Sequence, residues 1–173
     1  MHVSAAMDAD PTELADVAAV TFPLACPSAA ANDVEAYLAA NLSPEHFRAY
    51  LADPDRLVLT ASESGRIIGY AMLIRGLGND PDIARRIEPR PAVELSKMYV
   101  LPDWHRSGAA GALMQTGIAW AADQGTKAVW LGVNKNNQRA QRFYRKHDFE
   151  VVGTRSFRLG MRLEQDFVMV RAV

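Results

Sequence analysis

Residues 94–114 read ELSKMYVLPDWHRSGAAGALM, and this stretch decides the fold class. It begins in a predicted strand, residues 93–101, and ends in a predicted helix, residues 108–122. Small residues fill the turn from Ser107 to Ala112, so backbone N–H groups can approach a ligand closely. The free amides at a helix N-terminus suit a phosphate or pyrophosphate group. The alternative is a tight turn whose small residues serve packing alone, and the turn has neither a P-loop ending nor a GxGxxG pattern.

A second unit of strand, polar loop and helix follows downstream. Residues 128–133 form a predicted buried strand, residues 134–137 (NKNN) a loop, and residues 138–146 a helix. One face of that helix carries side chains at i, i+3, i+4 and i+7, namely Ala140, Phe143, Tyr144 and His147. Taken alone, Tyr144 on this face is best interpreted as a core tyrosine.

The remaining pattern predicts one α/β domain spanning residues 1–173. Predicted helices cover residues 11–20 and 34–40, the second capped by Asn32 or Asp33, and a third opens at Ser43-Pro44. Predicted strands cover residues 56–61, 66–74, 149–157 and 166–173, with loops at 21–28 and 76–91. Strands and helices in this mixed order predict a single sheet with helices on both faces.

Composition narrows the class of protein. Of 173 residues, 49% are hydrophobic and 23% charged, which is typical of a globular protein. No apolar run approaches the roughly 20 residues needed to cross a bilayer, and no signal-peptide pattern opens the chain, so we expect a cytoplasmic protein. Cys26 is the only cysteine, and His2, His46 and His147 lack neighbours at ligand spacing, so no metal site is predicted.

Charge is distributed unevenly along the chain. Residues 1–104 hold 15 acidic and 8 basic side chains, a balance of −7, and residues 105–173 hold 5 acidic and 11 basic ones, a balance of +6. Such halves could match a cationic acceptor and an anionic cofactor, or they are simply a solvated surface. Nucleic-acid binding is not favoured, because the basic half lacks interleaved exposed aromatic residues.

Together the two units resemble the GNAT superfamily of N-acetyltransferases. The family's pyrophosphate loop, Arg/Gln-x-x-Gly-x-Gly/Ala, is similar to residues 105–110, HRSGAA, and its Asn-x-x-Ala-x-x-Phe-Tyr pattern matches Asn137 to Tyr144. One departure is His105, which stands where Arg or Gln is usual; Arg106 stands where glycine is common. The tail, residues 153–169, resembles the bacterial polyamine (spermidine/spermine) acetyltransferase branch.

The resemblance implies a mixed, mostly antiparallel sheet splayed beside a bulge in residues 97–100, with acetyl-CoA as co-substrate in the gap and no metal. Met98 and Val100 would then offer backbone hydrogen bonds to pantetheine, and Asn137 would hold a pantetheine amide. The full set of expected acetyl-CoA contacts is Met98, Tyr99, Val100, His105, Arg106, Ser107, Gly108, Ala109, Ala110, Gly111, Ala112, Asn137, Ala140, Phe143 and Lys146.

The resemblance also implies direct acetyl transfer to a small-molecule amine, a polyamine being one choice. Glu94, with Ser96 and Met98 expected on its face, is the candidate general base, acting directly or through water. Tyr144 is the candidate acid. A solvated Glu94, a catalytically silent acyl-CoA sensor, and a protein or amino-acid acceptor remain as alternatives. No nucleic-acid or membrane partner is expected, and a homodimer is left open because dimers are frequent in the family.

Overall fold

The computed structural model describes residues 1–173 and is built around one seven-stranded sheet. The strands are β1 (His2–Ala5), β2 (Arg56–Glu63), β3 (Arg66–Arg75), β4 (Ala92–Val100), β5 (Ala128–Asn134), β6 (Glu150–Leu159) and β7 (Arg162–Ala172). They lie in the order β1-β2-β3-β4-β5-β7-β6, and only β4 and β5 are parallel neighbours. The predicted mixed and mostly antiparallel sheet is therefore confirmed. The four-residue β1 was not among the predicted strands.

Six helices cover both faces of the sheet, as predicted. They are α1 (Pro11–Ala25), α2 (Ala31–Asn41), α3 (Pro44–Ala52), α4 (Pro81–Arg86), α5 (Ala109–Asp123) and α6 (Gln138–Lys146). One core packs α5 and α6 against the sheet. The other face carries the core of α1, α2 and α3, and a smaller cluster under α4. None of these helices is long and apolar enough to cross a membrane.

Three local predictions in the helices were wrong. Helix α1 continues through Pro23, where a loop was expected, because burial of Phe22 and its stacking on Tyr37 at 4.4 Å outweigh the one backbone donor that proline removes. Helix α2 begins after Ala30, with no side-chain cap from Asn32 or Asp33. Within the predicted loop 76–91, Asp80 caps the short helix α4, and Ile83 anchors it in the core.

The sheet opens between its two parallel strands. β4 and β5 pair only from Ala92 to Glu94, whereas β4 remains paired with β3 up to Val100. Ser96 is an extra residue in β4, because Leu95 and Lys97 pair with adjacent residues of β3. The splayed sheet is thus present, with its bulge one residue before the expected segment 97–100.

The bulge also changes which side chains share a face. Met98 packs into the core beneath α5, whereas Glu94 points to the opposite face, where it approaches Arg155. The expectation that Met98 shares the face of Glu94 was therefore wrong, because the extra residue at Ser96 reverses the alternation of the strand.

Candidate active site

The gap between β4 and β5 exposes backbone groups on one edge of β4. The N–H of Leu101 donates to the carbonyl of Ile68 in the β3 direction, so the alternating backbone groups of Tyr99 also face β3. Those of Met98 and Val100 consequently face the gap, where no strand pairs with them. The Tyr99 side chain packs against Tyr70 on the far face of the sheet. Of the three strand residues predicted to contact acetyl-CoA, Met98 and Val100 thus present backbone to the gap and Tyr99 does not.

The turn after β4 presents free amides at the start of α5. Gly108 has a φ of 91°, a left-handed conformation that glycine adopts without strain. The hydroxyl of Ser107 accepts from the N–H of Ala109 at 3.2 Å, and the N–H of Ala112 donates to Gly108. The amides of Gly108, Ala110 and Gly111 have no acceptor within the protein. These three unpaired donors at a helix N-terminus fit a pyrophosphate group.

Two residues of this turn, His105 and Arg106, differ from the residues that are common at these positions in the family pattern. Arg106, where a glycine is common, holds a φ of 72°. His105 lies 2.9 Å from the carbonyl of Val100 through Nε2 and 2.6 Å from Nη1 of Arg139 through Nδ1.

A cavity of about 530 Å³ opens beside this turn. Its lining residues are Leu24, Pro27, Pro102, His105, Asn136, Asn137, Gln138 and Arg139. Arg139 was not predicted as a site residue, although it follows Asn137 by only two positions.

Helix α6 faces the gap with its first turns. Asn137 is the N-cap, and its Oδ1 accepts from the N–H of Ala140 at 3.1 Å, which leaves the amide Nδ2 free to donate. The three-residue spacing between Asn137 and Ala140 is therefore the spacing that this N-cap hydrogen bond requires. Phe143 packs against the core under α5. Lys146 is exposed at the other end of the helix, about 13 Å from Asn137 at 1.5 Å per residue.

Tyr144 combines an apolar setting with an unengaged hydroxyl. Its ring packs edge-on against Phe143 and Phe149, at centroid distances of 5.7 and 5.8 Å. No protein group forms a hydrogen bond with its hydroxyl. Burial raises the pKa of Tyr144 to about 12, so the phenol is fully protonated at neutral pH. The residue is thus both a packing group and an available proton donor.

A cluster of charged side chains lies on the opposite side of the sheet from α5. We call it the polar cluster, and it consists of Glu94, Lys97, Arg155, Glu164 and Asp166. Arg155 occupies its centre, with Nη1 3.8 Å from Glu94 Oε1 and Nε 3.2 Å from Asp166 Oδ2. Asn134 donates to Glu164 at 3.0 Å within the sheet.

Gly132 makes the central position of Arg155 possible. A Cβ atom at residue 132 would lie 2.5 Å from Cζ and 2.7 Å from Nε of Arg155, which is closer than real contacts allow. Arg155 and Asp166 were noticed in the sequence only as part of a tail. The signal that could have revealed them is a glycine inside a buried strand, which marks the close approach of another group.

Burial shifts several pKa values in and beside this cluster. It lowers the pKa of Lys97 to about 8, with the nearby Glu94 acting in the opposite direction, and the ammonium donates only to Ser96. It raises the pKa of Asp166, against the influence of Arg155. It also raises the pKa of Cys26 to about 12, so this thiol is a packing group and a poor nucleophile.

Comparison with known proteins identifies the family. The profile of the Acetyltransferase (GNAT) family matches residues 24–149. An uncharacterized N-acetyltransferase of Mycobacterium tuberculosis is 55% identical over 163 residues, covering 94% of this chain and 97% of that protein.

Solved structures share the fold at low sequence identity. The PaiA N-acetyltransferase of Thermoplasma acidophilum, in complex with coenzyme A, superimposes with a TM-score of 0.76 at 18% identity, covering 100% of both chains. NAA60 of Arabidopsis thaliana, in complex with acetyl-CoA, gives 0.77 at 15% identity, covering 99% of this chain and 98% of that one. The solved structures show the fold alone, whereas the family profile and the mycobacterial relative show that the chain belongs to the GNAT family and is an acetyl-CoA-dependent N-acetyltransferase.

Proposed function

We propose that the chain transfers the acetyl group of acetyl-CoA directly to a primary amine in the gap between β4 and β5. The observation that carries this proposal is the juxtaposition of two sets of unpaired donors. Met98 and Val100 present backbone to the gap, and Gly108, Ala110 and Gly111 present free amides at its end. The first set suits an extended pantetheine arm that pairs as an added strand, and the second suits its pyrophosphate.

The residues lining the gap would hold the co-substrate from two sides. Asn137 has a free Nδ2 donor for a pantetheine carbonyl, since its Oδ1 is engaged in the helix cap. A gap-facing N–H of β4 would donate to the thioester carbonyl oxygen and stabilise negative charge developing on it. The remaining predicted contacts of the turn, from His105 to Ala112, would shape the pyrophosphate site around the start of α5.

Glu94 is the proposed general base. An alkylamine with a pKa near 10.4 is neutral in only about one molecule in 2,500 at pH 7, so attack requires removal of a proton. The Glu94 side chain is 19% exposed at the edge of the gap where β4 and β5 part. It takes the ammonium proton directly or through a water molecule, after which the amine nitrogen attacks the thioester carbon.

Tyr144 is the proposed general acid. When the carbon–sulfur bond breaks, the departing thiolate takes a proton, and the Tyr144 hydroxyl has no protein partner that competes for it. The nitrogen of the addition intermediate loses its second proton, which restores the Tyr144 hydroxyl, and Glu94 releases the first proton to solvent. The products are the N-acetyl amine and free CoA thiol. Cys26 has no part in this sequence, because its thiol is protonated and buried.

A polyamine is the acceptor that we propose to test first. Three carboxylates of the polar cluster, those of Glu94, Glu164 and Asp166, outnumber its two cationic groups, and the tail resembles the polyamine branch. A polycation would meet an excess of one negative charge beside Glu94.

Substitution of Glu94 tests the proposed base. Glu94→Gln should lower kcat/KM by about 10²–10⁴ at neutral pH, with much of the loss recovered at high pH, where the free amine is abundant. Glu150→Gln, at an exposed glutamate of β6, is the matched control with the same charge change. An unchanged rate for Glu94→Gln would mean that Glu94 is a solvated carboxylate.

The acceptor class needs a separate comparison of substrates. We expect kcat/KM for spermidine to exceed that for monoamines of similar length, and the difference to shrink at moderate salt, where charges are screened over about 8 Å. An equal response across the series would exclude a polyamine preference and point to a protein or amino-acid amine.

A further inference from the structure

Arg139 places a positive charge beside the turn that begins α5. Its guanidinium Nη1 lies 2.6 Å from Nδ1 of His105, the residue at the position where the family usually has Arg or Gln. Arg139 lies in the first turn of α6. It lines the same 530 Å³ cavity as His105, Asn137 and Pro102. Two segments far apart in sequence therefore meet at this point.

The hydrogen bonds of His105 define how Arg139 is held. Nε2 lies 2.9 Å from the carbonyl of Val100, so this nitrogen carries the hydrogen and donates it to that oxygen. Nη1 of Arg139 lies 2.6 Å from Nδ1 and 3.2 Å from Nε2, so the guanidinium lies against the imidazole ring. The imidazole thus connects the carbonyl of Val100, at the end of β4, to the guanidinium of Arg139.

The charge of Arg139 is not neutralised within the protein. No carboxylate lies within 4 Å of its guanidinium. Only Nη1 contacts His105, and Arg139 lines a cavity whose other lining residues are mainly polar. A guanidinium with spare donors is suited to bind phosphate oxygens, and its contact His105 lies three residues before Gly108, the first of the free amides.

We propose that Arg139 is the side chain that binds the pyrophosphate of acetyl-CoA in this protein, supplying from α6 the charge that the turn lacks at His105. This inference rests on the proposed placement of acetyl-CoA in the gap. His105 acts as a positioning residue: it does not bind the phosphates itself but orients the guanidinium toward them. Arg139 and the amides of Gly108, Ala110 and Gly111 then bind the pyrophosphate from two sides.

Calorimetry with CoA and with 3′-dephospho-CoA tests this assignment. Arg139→Gln should weaken the binding of both ligands by about ten- to hundredfold, the loss typical of a hydrogen bond to a charged group. Arg139→Lys should restore part of the affinity, because it keeps the charge but loses the fork of donors. Arg145→Gln, an exposed arginine of the last turn of α6, has the same change in net charge and should bind CoA as the unmodified protein does.

A short thioester distinguishes a phosphate contact from a change in shape. S-acetylpantetheine has no pyrophosphate, so Arg139→Gln should leave its kcat/KM with a fixed amine unchanged within about twofold while lowering kcat/KM for acetyl-CoA. An equal loss with both thioesters, or CoA affinity unchanged by Arg139→Gln, would overturn the proposal. A loss with CoA but not with dephospho-CoA would also overturn it, by moving the contact to the 3′-phosphate. Failure of the unmodified protein to bind CoA would instead refute the placement of acetyl-CoA itself.

Discussion

Gly132→Ala should disrupt the polar cluster by displacing Arg155. The added methyl group would lie 2.5 Å from Cζ and 2.7 Å from Nε of that guanidinium, so the side chain must move away. Movement breaks the 3.2 Å bond to Asp166 and lengthens the 3.8 Å approach to Glu94. The Asp166 side chain is only 8% exposed, so water cannot fully replace the lost partner.

Two opposing contributions determine how much Gly132→Ala lowers the free energy of unfolding. Loss of a hydrogen bond to a charged group costs about 1.5–3 kcal/mol, and replacing glycine within a strand returns about 0.5–1 kcal/mol. We expect a net loss of about 1–2 kcal/mol in the free energy of unfolding at pH 7.5, measured by urea denaturation. In a protein of this size, that corresponds to a decrease in Tm of about 2–8 °C.

The dependence of this loss on pH identifies its origin. Burial raises the pKa of Asp166 above its ordinary 3.8, so the folded state favours the protonated acid and gains stability as the pH falls through the raised pKa. Arg155 lowers the pKa of Asp166, so displacement of Arg155 raises that pKa further. Once Asp166 is protonated, it carries no charge for the guanidinium to balance. The deficit of Gly132→Ala should therefore be smaller at pH 4, just above the ordinary pKa of 3.8, than at pH 7.5.

A double-mutant cycle supplies the control. In an Asp166→Asn background, the cost of Gly132→Ala should fall by about 1 kcal/mol, because the charged acceptor of Arg155 is already absent. A destabilisation that is the same at both pH values and in both backgrounds would refute this account of the cluster.

Two further predictions concern the gap, and a third concerns Cys26. Gly108→Glu should abolish detectable acetyl-CoA binding in calorimetry, because a carboxylate repels phosphate. The control is Gly108→Ala, which bears the same backbone strain at a φ of 91°, and equal affinity in the two variants would exclude this turn as the pyrophosphate site. Tyr144→Phe should lower kcat well over tenfold with little change in Tm, since the hydroxyl has no protein partner; a large fall in Tm with retained activity per folded molecule would show a purely structural tyrosine. The Cys26 thiol, with its pKa raised to about 12, should resist iodoacetamide in the native protein at pH 8 without loss of activity, and rapid inactivation would contradict its burial.

Local patterns predicted most of the fold because the forces involved are local. The N-cap at Ser43, the helix of residues 138–146 and the turn at Ser64 and Gly65 all follow from residues close in sequence. The extension of α1 through Pro23 could not be predicted in this way. It depends on the stacking of Phe22 on Tyr37, a contact between two different helices.

The candidate site also has some features that depend on neighbouring residues and others that depend on contacts between distant segments. The turn at Gly108 and the cap at Asn137 are properties of contiguous residues, and motif spacing was sufficient to find them. The contact of Arg139 with His105 joins residues 34 positions apart, and Arg155 reaches Gly132 across β7. The bulge at Ser96 depends on the register with β3, so the separation of Met98 from Glu94 could not be read from alternation alone.

Amide hydrogen exchange, followed by NMR with and without acetyl-CoA, tests the central claim most directly. We place acetyl-CoA against the backbone of Met98, Val100, Gly108, Ala110 and Gly111. On the side of the gap no strand pairs with Met98 and Val100, and the N–H groups of Gly108, Ala110 and Gly111 have no acceptor in the protein. Saturating acetyl-CoA should slow the exchange of the gap-facing amides among these residues and leave the distant hairpin at Gly65 unchanged. If acetyl-CoA binds while these amides exchange at their original rates, the cofactor lies elsewhere and the account is wrong.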